Sequence, residues 1–456
     1  MSHPIANQPA GNGLSRTLGW PHLVALGVGA IVGTGIMTLI GVGADKAGPA
    51  VLVAFLIAGL VCTCAALAYA EMATMIPATG GAYAFGRVVF GNFAAWTIGW
   101  CLLLEYCLVV GAVAVGWSGY AAPLLHQWLG VPATLMAGPA EGGVINLPAI
   151  FIILVVTLLL LLGMRRSALV NAALVVLKVA ALGLFVWAAL PAFDLANLTP
   201  FNPYGFGKTA GADGTERGIM AAAAIIFSAF YGFDAVASAA EETRNPRRNL
   251  AIGILGSMFV CIAIYIVIAI AALGALPFAR FANSPEPLAL ILRELGQSDA
   301  ARFLAISAVI ALPTVILAFF YGQTRVVYAM ARDGLLPRRL AQVSRVGVPV
   351  RTTLVTAFLV STIAAFLPLG EIVALANAGT LLAFSTVALG MLVMRRRAPL
   401  ALRGYRAPAA WLVGPVAIAG CLYLFASLPG ATHSWFLYWN CAVILGYFLI
   451  RRRRSR

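Results

Sequence analysis

The chain has 456 residues, 62% of them hydrophobic and only 10% charged, with a net charge of +15. Soluble globular domains carry about 25% charged residues, so this composition excludes an ordinary soluble protein. The cations gather in short segments between apolar runs, which is typical of membrane-protein loops and argues against a nucleic-acid surface. The seven cysteines lie in apolar runs, so we expect buried thiols rather than a disulfide framework.

Continuous apolar runs of about 18 to 25 residues follow one another along the chain, and this length is typical of membrane-spanning helices. A helix satisfies its own backbone polar groups in lipid, whereas the strands of a membrane barrel alternate in polarity. The sequence therefore predicts an all-α membrane protein with about twelve transmembrane helices, at residues 22–44, 50–75, 92–122, 147–163, 167–190, 218–240, 248–274, 301–328, 351–368, 371–394, 408–427 and 433–450.

The distribution of Lys and Arg predicts how these helices are oriented. When the amino terminus is placed in the cytoplasm, 23 of the 30 cations fall in cytoplasmic segments and 6 fall in external ones. Cytoplasmic loops collect Lys and Arg, so we expect the tails at residues 1–21 and 451–456 to be cytoplasmic. The first twenty residues lack the apolar core and cleavage site of a signal peptide, so the first helix is expected to act as an uncleaved insertion signal.

Two of the predicted helices, the first and the sixth, contain glycines that favour an interruption. Residues 27–35 read GVGAIVGTG, and residues 227–234 read FSAFYGFD. Each glycine weakens a helix by about 1 kcal/mol relative to alanine, although close packing of small residues also explains this spacing in the first helix. Paired interruptions at equivalent positions indicate inverted repeats. We therefore expect two repeats, at residues 22–190 and 218–394, followed by peripheral helices at 408–450.

Backbone groups released at such interruptions suit a zwitterion. The amino-terminal end of a half-helix attracts a carboxylate, and free carbonyls at the other end attract an ammonium. These two groups are common to all amino acids. We expect the carboxylate near Thr34 and Gly35, and the ammonium near the carbonyls of Ile31, Ser228 and Ala229. The full predicted substrate site comprises Ile31, Val32, Gly33, Thr34, Gly35, Phe227, Ser228, Ala229 and Tyr231.

Three ionisable residues interrupt apolar runs and are candidates for function. Lys178 lies near the middle of its helix, and burial disfavours the charged form of an amine. It is therefore a candidate proton carrier or a fixed cation in place of sodium, with snorkelling to the interface as the alternative. Glu105 could pair with a cation, relay a proton, contact a cationic substrate or hydrogen-bond to interrupted backbone. Asp234 is expected to cap the half-helix that follows the second interruption.

No sequence pattern indicates a cofactor, a metal ion or an enzyme. The four histidines lack the spacing of metal ligands, and neither a nucleophile–base arrangement nor a phosphate-binding loop is present in the sequence. The expected partners are an amino acid, a proton and the lipid bilayer, without nucleic acid. The sequence does not indicate an oligomeric state.

Several motifs in a fixed order resemble the amino acid–polyamine–organocation superfamily, close to its cationic amino acid transporter branch. They are GAIVGTGI at 29–36, AGPA at 47–50, YAEM at 69–72, PATGGAY at 77–83, GFDAV at 232–236, AEETRNP at 240–246 and RDGLLP at 332–337. The resemblance covers nearly the whole chain. It implies a bacterial inner-membrane protein with a LeuT-like five-plus-five inverted repeat, alternating access and proton-coupled import of amino acids.

The resemblance also assigns roles to particular residues. It implies that Lys178 occupies the place of a sodium ion and that Glu105 matches an acid of the third helix in this branch. Ser228 and Tyr231 depart from the related pattern, which has Phe and Ile at these places, so the substrate side chain is not transferred with the family. An exchanger of amino acids or polyamines without proton coupling is the alternative function, and a transporter-like nutrient sensor is a remote one.

Overall fold

The computed structural model describes residues 18–78, 80–162, 167–211, 214–238, 240, 243–282, 284–342 and 350–454. Most of the predicted tail at 1–21 lies outside this part of the chain, as do the last two residues of the predicted tail at 451–456. Helix dominates the described residues, and most helices coincide with the predicted apolar runs.

In chain order the helices are α1 (Trp20–Ile31), α2 (Thr34–Met37), α3 (Leu39–Ala47), α4 (Val51–Met75), α5 (Ala82–Phe90), α6 (Asn92–Leu129), α7 (Leu147–Leu162), α8 (Ser167–Ala189), α9 (Ile219–Ile226), α10 (Phe233–Ser238), α11 (Pro246–Ala275), α12 (Pro287–Glu294), α13 (Ser298–Ala311), α14 (Pro313–Arg332), α15 (Val350–Phe366), α16 (Leu369–Arg397), α17 (Ala410–Ala426) and α18 (Gly430–Arg454). Two short strands, β1 (Thr209–Ala210) and β2 (Glu216–Arg217), pair antiparallel in the connection between α8 and α9. The protein is therefore mostly helical, with one small hairpin that the sequence pattern did not predict.

Helix length and apolar composition identify the segments that can cross a membrane. Eight stretches of the described residues qualify, and a ninth is added when α17 and α18, bent by 111° against each other, count as one span. Two shorter apolar helices, α7 and α15, fall below this length. These observations establish a multi-pass helical membrane protein, and the number twelve stays a prediction.

The structure differs from the predicted helices at several points. The segment predicted at 301–328 is divided into α13 and α14, which meet at Leu312 and Pro313. Proline has no amide hydrogen and fits the first turn of a helix, so Pro313 begins α14 rather than continuing α13. The short helices α5 and α12 lie in segments predicted as loops, and α18 continues to Arg454.

Both helices that the glycine pattern predicts to be interrupted are interrupted. The first leaves its path after Ile31, where Val32 has an extended ψ of 98°, and resumes as α2. The second ends at Ile226, passes through a 3-10 turn at Phe227–Phe230 and resumes as α10. Gly232 precedes α10 with a φ of 116°, a conformation that glycine adopts without a steric penalty. These interruptions give the fold its polar centre.

The two interrupted helices run antiparallel along their length. At one end, the Arg244 amide donates to the Leu18 carbonyl at 2.8 Å. At the other end, the Gly218 amide donates to the Lys46 carbonyl at 2.8 Å. The residue numbers therefore increase along one helix while they decrease along the other.

Glycines let the two interruptions come into direct contact. A Cβ placed on Gly35 would lie 2.4 Å from the Cα of Ala229, and one on Gly232 would lie 2.8 Å from the carbonyl carbon of Ala30. Real Cβ atoms do not approach other atoms so closely, so any larger residue would force the two backbones apart. The glycines thus serve both the interruption and the packing of one helix on the other.

A buried carboxylate fastens α4 to α16 and to the loop that follows α16. Glu71 is 1% exposed and accepts from Arg395 Nε at 3.0 Å and from Arg395 Nη2 at 2.6 Å. It also accepts from Arg403 Nε at 3.1 Å and from the Ala407 amide at 2.8 Å. Four donors satisfy both carboxylate oxygens, which a buried charge requires.

Candidate functional site

The ammonium of Lys178 lies against the interruption of the first helix. Lys178 extends from α8 and is fully buried. Its Nζ donates to the carbonyls of Gly29 and Val32 at 3.0 and 3.1 Å, and to the Thr314 hydroxyl of α14 at 2.9 Å. The side chain therefore does not snorkel to an interface, and it links three helices at the point where the first of them is interrupted.

Counting donors shows which protonation state these contacts fit. The Thr314 hydroxyl donates its own hydrogen to the Ala311 carbonyl at 2.6 Å, so it can only accept from Lys178. The two carbonyls also only accept, and an ammonium supplies the three donors that these acceptors need. A neutral amine has two donors and a lone pair, so it would release one of the three contacts. No ion pair to Lys178 is present among the described residues.

One tyrosine hydroxyl bridges the two interruptions. Tyr265 of α11 donates toward the Ile31 carbonyl at 2.7 Å and toward the Ala229 carbonyl at 2.9 Å. A hydroxyl has a single hydrogen, so these two carbonyls and the hydroxyl oxygen have more acceptor sites than donors. The cluster can therefore accept hydrogen bonds from a further donor, and an ammonium group is a donor of this kind. Ile31 and Ala229 are two of the three residues whose carbonyls the sequence predicts as ammonium ligands.

The interruption of the second helix is held from α16. Asn377 is fully buried, and its Nδ2 donates to the carbonyls of Ala224 and Ile225 at 2.6 and 3.1 Å. Its Oδ1 accepts from the hydroxyl of Tyr231. The Ser228 hydroxyl also donates to the Ile225 carbonyl, at 2.9 Å. These side chains thus bind carbonyls of the last turn of α9, where the regular hydrogen bonding of the helix ends.

Glu105 of α6 is fully buried, and neither of its carboxylate oxygens has a hydrogen-bond donor among the described residues. The Thr380 hydroxyl of α16 lies beside the carboxylate, but it donates to the Ala376 carbonyl at 3.1 Å. Gly379 packs against the same residue, since a Cβ on Gly379 would lie 3.7 Å from the Cβ of Glu105. Lone buried carboxylates are rare and costly in a membrane, so Glu105 stays a candidate functional acid.

Asp234 caps the helix that follows the second interruption. Its Oδ1 accepts from the Gly232 amide at 3.2 Å, and its Oδ2 accepts from the Tyr106 hydroxyl at 2.7 Å. Asp234 lies in the first turn of α10, where a negative charge is favourable. These contacts agree with the predicted capping role and add Tyr106 of α6 as its partner.

The structure brings the predicted substrate residues together, because both interruptions meet at the centre of the fold. Ile31, Val32, Phe227, Ala229 and Tyr231 are buried. Gly33 packs against α14, where a Cβ would lie 3.0 Å from Val315 Cγ2, and the backbone of Thr34 and Gly35 begins α2. Lys178 contacts the first interruption through the Val32 carbonyl, and Glu105 lies beside Thr380 of α16.

Four polar residues of this centre were missed by the sequence prediction: Thr314, Tyr265, Asn377 and Tyr106. Asn377 and Tyr265 each interrupt an apolar run, which is the signal that identified Lys178. Thr314 follows Pro313 in the sequence and Tyr106 follows Glu105. Their positions therefore gave no separate indication of a functional role. Among the described residues, no group of three His, Cys, Asp or Glu side chains is arranged to hold a metal ion.

The sequence profile that describes amino acid permeases matches residues 18–450. The chain belongs to the amino acid permease family. This match spans both interrupted helices, Lys178 and α16, so the whole polar centre lies within the matched residues.

Similar proteins match most of this permease. It is 41% identical to the branched-chain amino acid permease BcaP of Bacillus subtilis strain 168, over 99% of this chain and 96% of that protein. It is 37% identical to the methylthioribose transporter of the same organism, with the same coverage. It is 35% identical to cationic amino acid transporter 2, vacuolar, of Arabidopsis thaliana, over 85% of this chain and 61% of that longer protein. These relatives are named as transporters, which is consistent with a permease that is not an enzyme.

Proposed function

We propose that this permease imports an amino acid across a bacterial inner membrane by proton symport with alternating access. Family membership and the similarity to branched-chain permeases support amino acid transport. The single observation that carries the proton coupling is the contact of the Lys178 ammonium with the interrupted first helix and with Thr314. This amine is the group that we assign to bind and release the proton.

The donor count at Lys178 suggests how the proton and the helices are coupled. The protonated amine joins α8, the interruption of the first helix and α14. Deprotonation removes one donor, so one acceptor loses its partner and the connection between these helices weakens. A protonation step of this kind favours one arrangement of helices over another, which alternating access requires.

The antiparallel course of the two interrupted helices supports an inverted repeat. In such a repeat, the first helix of each half crosses the membrane in opposite directions and contributes to one central site. We therefore propose twelve transmembrane helices, with repeats at 22–190 and 218–394 and peripheral helices at 408–450. Cytoplasmic termini follow from the excess of Lys and Arg in the segments assigned to that side.

The substrate is proposed to be a neutral amino acid with a branched side chain. The acceptor-rich cluster of Ile31, Ala229 and Tyr265 suits the substrate ammonium, and the start of α2 suits its carboxylate. The similarity to a branched-chain permease favours an apolar side chain. Glu105 is proposed as a second proton-carrying group beside Lys178 rather than as a substrate contact, because a neutral substrate side chain offers its carboxylate no cation.

The decisive experiment measures uptake of labelled leucine into proteoliposomes, with and without an inward proton gradient. Wild type is compared with Lys178→Ala, which removes the amine. Lys208→Ala is the matched control, because Lys208 pairs with Glu216 in the connection between α8 and α9, away from the interruptions. Arginine and methylthioribose complete the substrate panel, since relatives are named for cationic amino acids and for methylthioribose.

We expect the gradient to drive leucine accumulation in wild type and in Lys208→Ala, and Lys178→Ala to lose this dependence. Uptake that ignores the gradient but requires amino acid inside the vesicles would identify an exchanger. Preferential uptake of arginine or methylthioribose would correct the substrate class. Binding of leucine without any transport would favour the sensor.

A further inference from the structure

The carboxyl end of α9 is held by one side-chain amide from another helix. Helix α9 ends at Ile226, and the chain passes through a 3-10 turn before its backbone becomes extended at Tyr231, so the regular hydrogen bonding of α9 is not continued. Asn377 of α16 donates to two carbonyls of the last turn of α9, those of Ala224 and Ile225. A single side chain from another helix thus holds the carboxyl end of α9.

The orientation of this amide is fixed by chemistry. Its Nδ2 faces two carbonyl oxygens, and its Oδ1 faces the Tyr231 hydroxyl. Rotating the amide by half a turn would place an oxygen opposite two carbonyl oxygens, which repel it. The Asn377 amide, the two carbonyls and the Tyr231 hydroxyl therefore have one favourable arrangement. This arrangement fixes the position of the Tyr231 side chain.

We propose that Asn377 is a positioning residue for the substrate site, and this inference rests on the proposed transport function. Through its amide, α16 holds the carboxyl end of α9 and the Tyr231 side chain in the geometry that receives the amino acid. Ser228 and Ala229 follow Ile225 by three and four residues in the adjoining 3-10 turn, so we expect a shift of α9 to move the groups assigned to the substrate ammonium.

The same face of α16 reaches the buried acid. Thr380, three residues after Asn377, lies beside both the Tyr231 hydroxyl and the Glu105 carboxylate. Asn377 therefore belongs to a row of polar groups that runs from the interruption of the second helix to Glu105. Among the described residues Asn377 makes no hydrogen bond to Lys178 or to Glu105, so we expect its effect on substrate binding to be separable from proton coupling.

The test uses Asn377→Asp in the full-length permease, because this change keeps the size of the side chain and replaces the donating nitrogen by an oxygen. Asn440→Asp is the matched control, since Asn440 of α18 donates to the Phe436 carbonyl of its own helix at 2.8 Å. Tyr231→Phe removes the other partner of the amide and serves as the second variant where Asn377→Asp does not accumulate in the membrane. Leucine uptake is measured in proteoliposomes under an inward proton gradient, with KM and kcat determined separately.

We expect Asn377→Asp to raise the KM for leucine by about tenfold or more, as the loss of buried hydrogen bonds implies, while the dependence on the gradient persists. Tyr231→Phe is expected to raise KM to a smaller extent, and Asn440→Asp to leave it unchanged. An unchanged KM in Asn377→Asp or in Tyr231→Phe overturns the inference, and so does a loss of kcat alone. Failure of the wild type itself to take up leucine would instead contradict the proposed function.

Discussion

The Tyr265 hydroxyl shows how one atom can join two helices that are distant in sequence. It lies between a carbonyl of the first interrupted helix and a carbonyl of the second, with one hydrogen for both. The ring is fixed independently of the hydroxyl, because it packs edge-on against Phe55 at 6.1 Å and at a tilt against Phe230 at 5.3 Å. The hydroxyl and the ring therefore have separate functions, which a substitution can distinguish.

Tyr265→Phe should retain the fold and weaken substrate binding. The ring contacts stay, but the hydroxyl that joins the two carbonyls and can itself accept from the substrate ammonium is lost, which costs about 1 kcal/mol or roughly fivefold in KM. Leucine uptake kinetics measure this effect. Tyr438→Phe is the control, because Tyr438 of α18 is 65% exposed at the periphery. Equal KM values for the two variants would show that the Tyr265 hydroxyl does not contribute to the site.

Sequence reasoning found residues at this scale only where their chemistry was rare. Lys178 stood out because a lysine in an apolar helix is costly wherever it points. Asn377 and Tyr265 are less costly, and their roles depend on which carbonyls lie opposite them in the folded protein. Partners across helices are set by packing, so the sequence could name the interruptions but not the side chains that hold them.

At the scale of elements, the two interrupted helices depend on glycine at their contact. Gly232 has a positive φ, and a Cβ there would meet the backbone of Ala30 at 2.8 Å. Gly183 of α8 offers the opposite environment, since a Cβ there would meet nothing within 4 Å. This pair separates the intrinsic effect of glycine in a helix from its effect on close packing.

Gly232→Ala should lower uptake to less than about a tenth of wild type, because a strained φ and a backbone clash together cost at least 1 to 3 kcal/mol. Gly183→Ala should be neutral or should raise the unfolding temperature, since alanine favours helix. Both variants are compared by leucine uptake and by thermal unfolding in detergent. Normal uptake in Gly232→Ala would mean that the contact between the interruptions is not required.

The carboxylate of Glu71 joins α4 to α16 and to the loop after α16 through four hydrogen bonds. Glu71→Gln leaves Arg395 and Arg403 without an anion in a buried setting, and we expect a loss of about 3 kcal/mol of stability. Glu294→Gln is the control, because its partner Arg280 is 56% exposed and such pairs contribute less than about 1 kcal/mol. Unfolding midpoints in detergent compare the two, and similar midpoints would exclude a structural role for the Glu71 cluster.

Most elements were predictable because apolar length and glycine pattern are local properties. The divided helix at Pro313 and the short helices α5 and α12 were not predicted. Hydropathy runs continuously across Pro313, and short amphipathic helices bury one face only in the folded molecule. The interruptions were predicted because glycine acts on the backbone of its own helix, whereas their contact depends on the arrangement of the whole chain.

At the scale of the whole molecule, the charge distribution predicts which surface faces the cytoplasm. Glu141 lies in the connection between α6 and α7, which is assigned to the outside, and Leu400 lies between α16 and α17, which is assigned to the inside. Both positions are exposed. Introducing a cysteine at each, in a variant without the exposed Cys441, allows labelling of intact cells with a membrane-impermeant maleimide.

We expect Glu141→Cys to be labelled in intact cells and Leu400→Cys to be labelled only after the membrane is opened, because Lys and Arg stay on the cytoplasmic side. The same pattern is expected whichever substrate is transported. The reverse pattern would invert the proposed orientation, and labelling of both positions in intact cells would require a different number of spans.

The single amine of Lys178, with its three acceptors, also limits how far the substrate can be concentrated across the membrane. One amine carries one proton per cycle, so at zero membrane potential each pH unit of gradient is worth about 1.4 kcal/mol and can concentrate a neutral substrate about tenfold. A second proton on Glu105 would raise this ratio to about a hundredfold for the same gradient. The steady-state accumulation of leucine at a known pH gradient and zero membrane potential therefore gives the coupling stoichiometry, and with it the number of buried groups that exchange protons in each cycle.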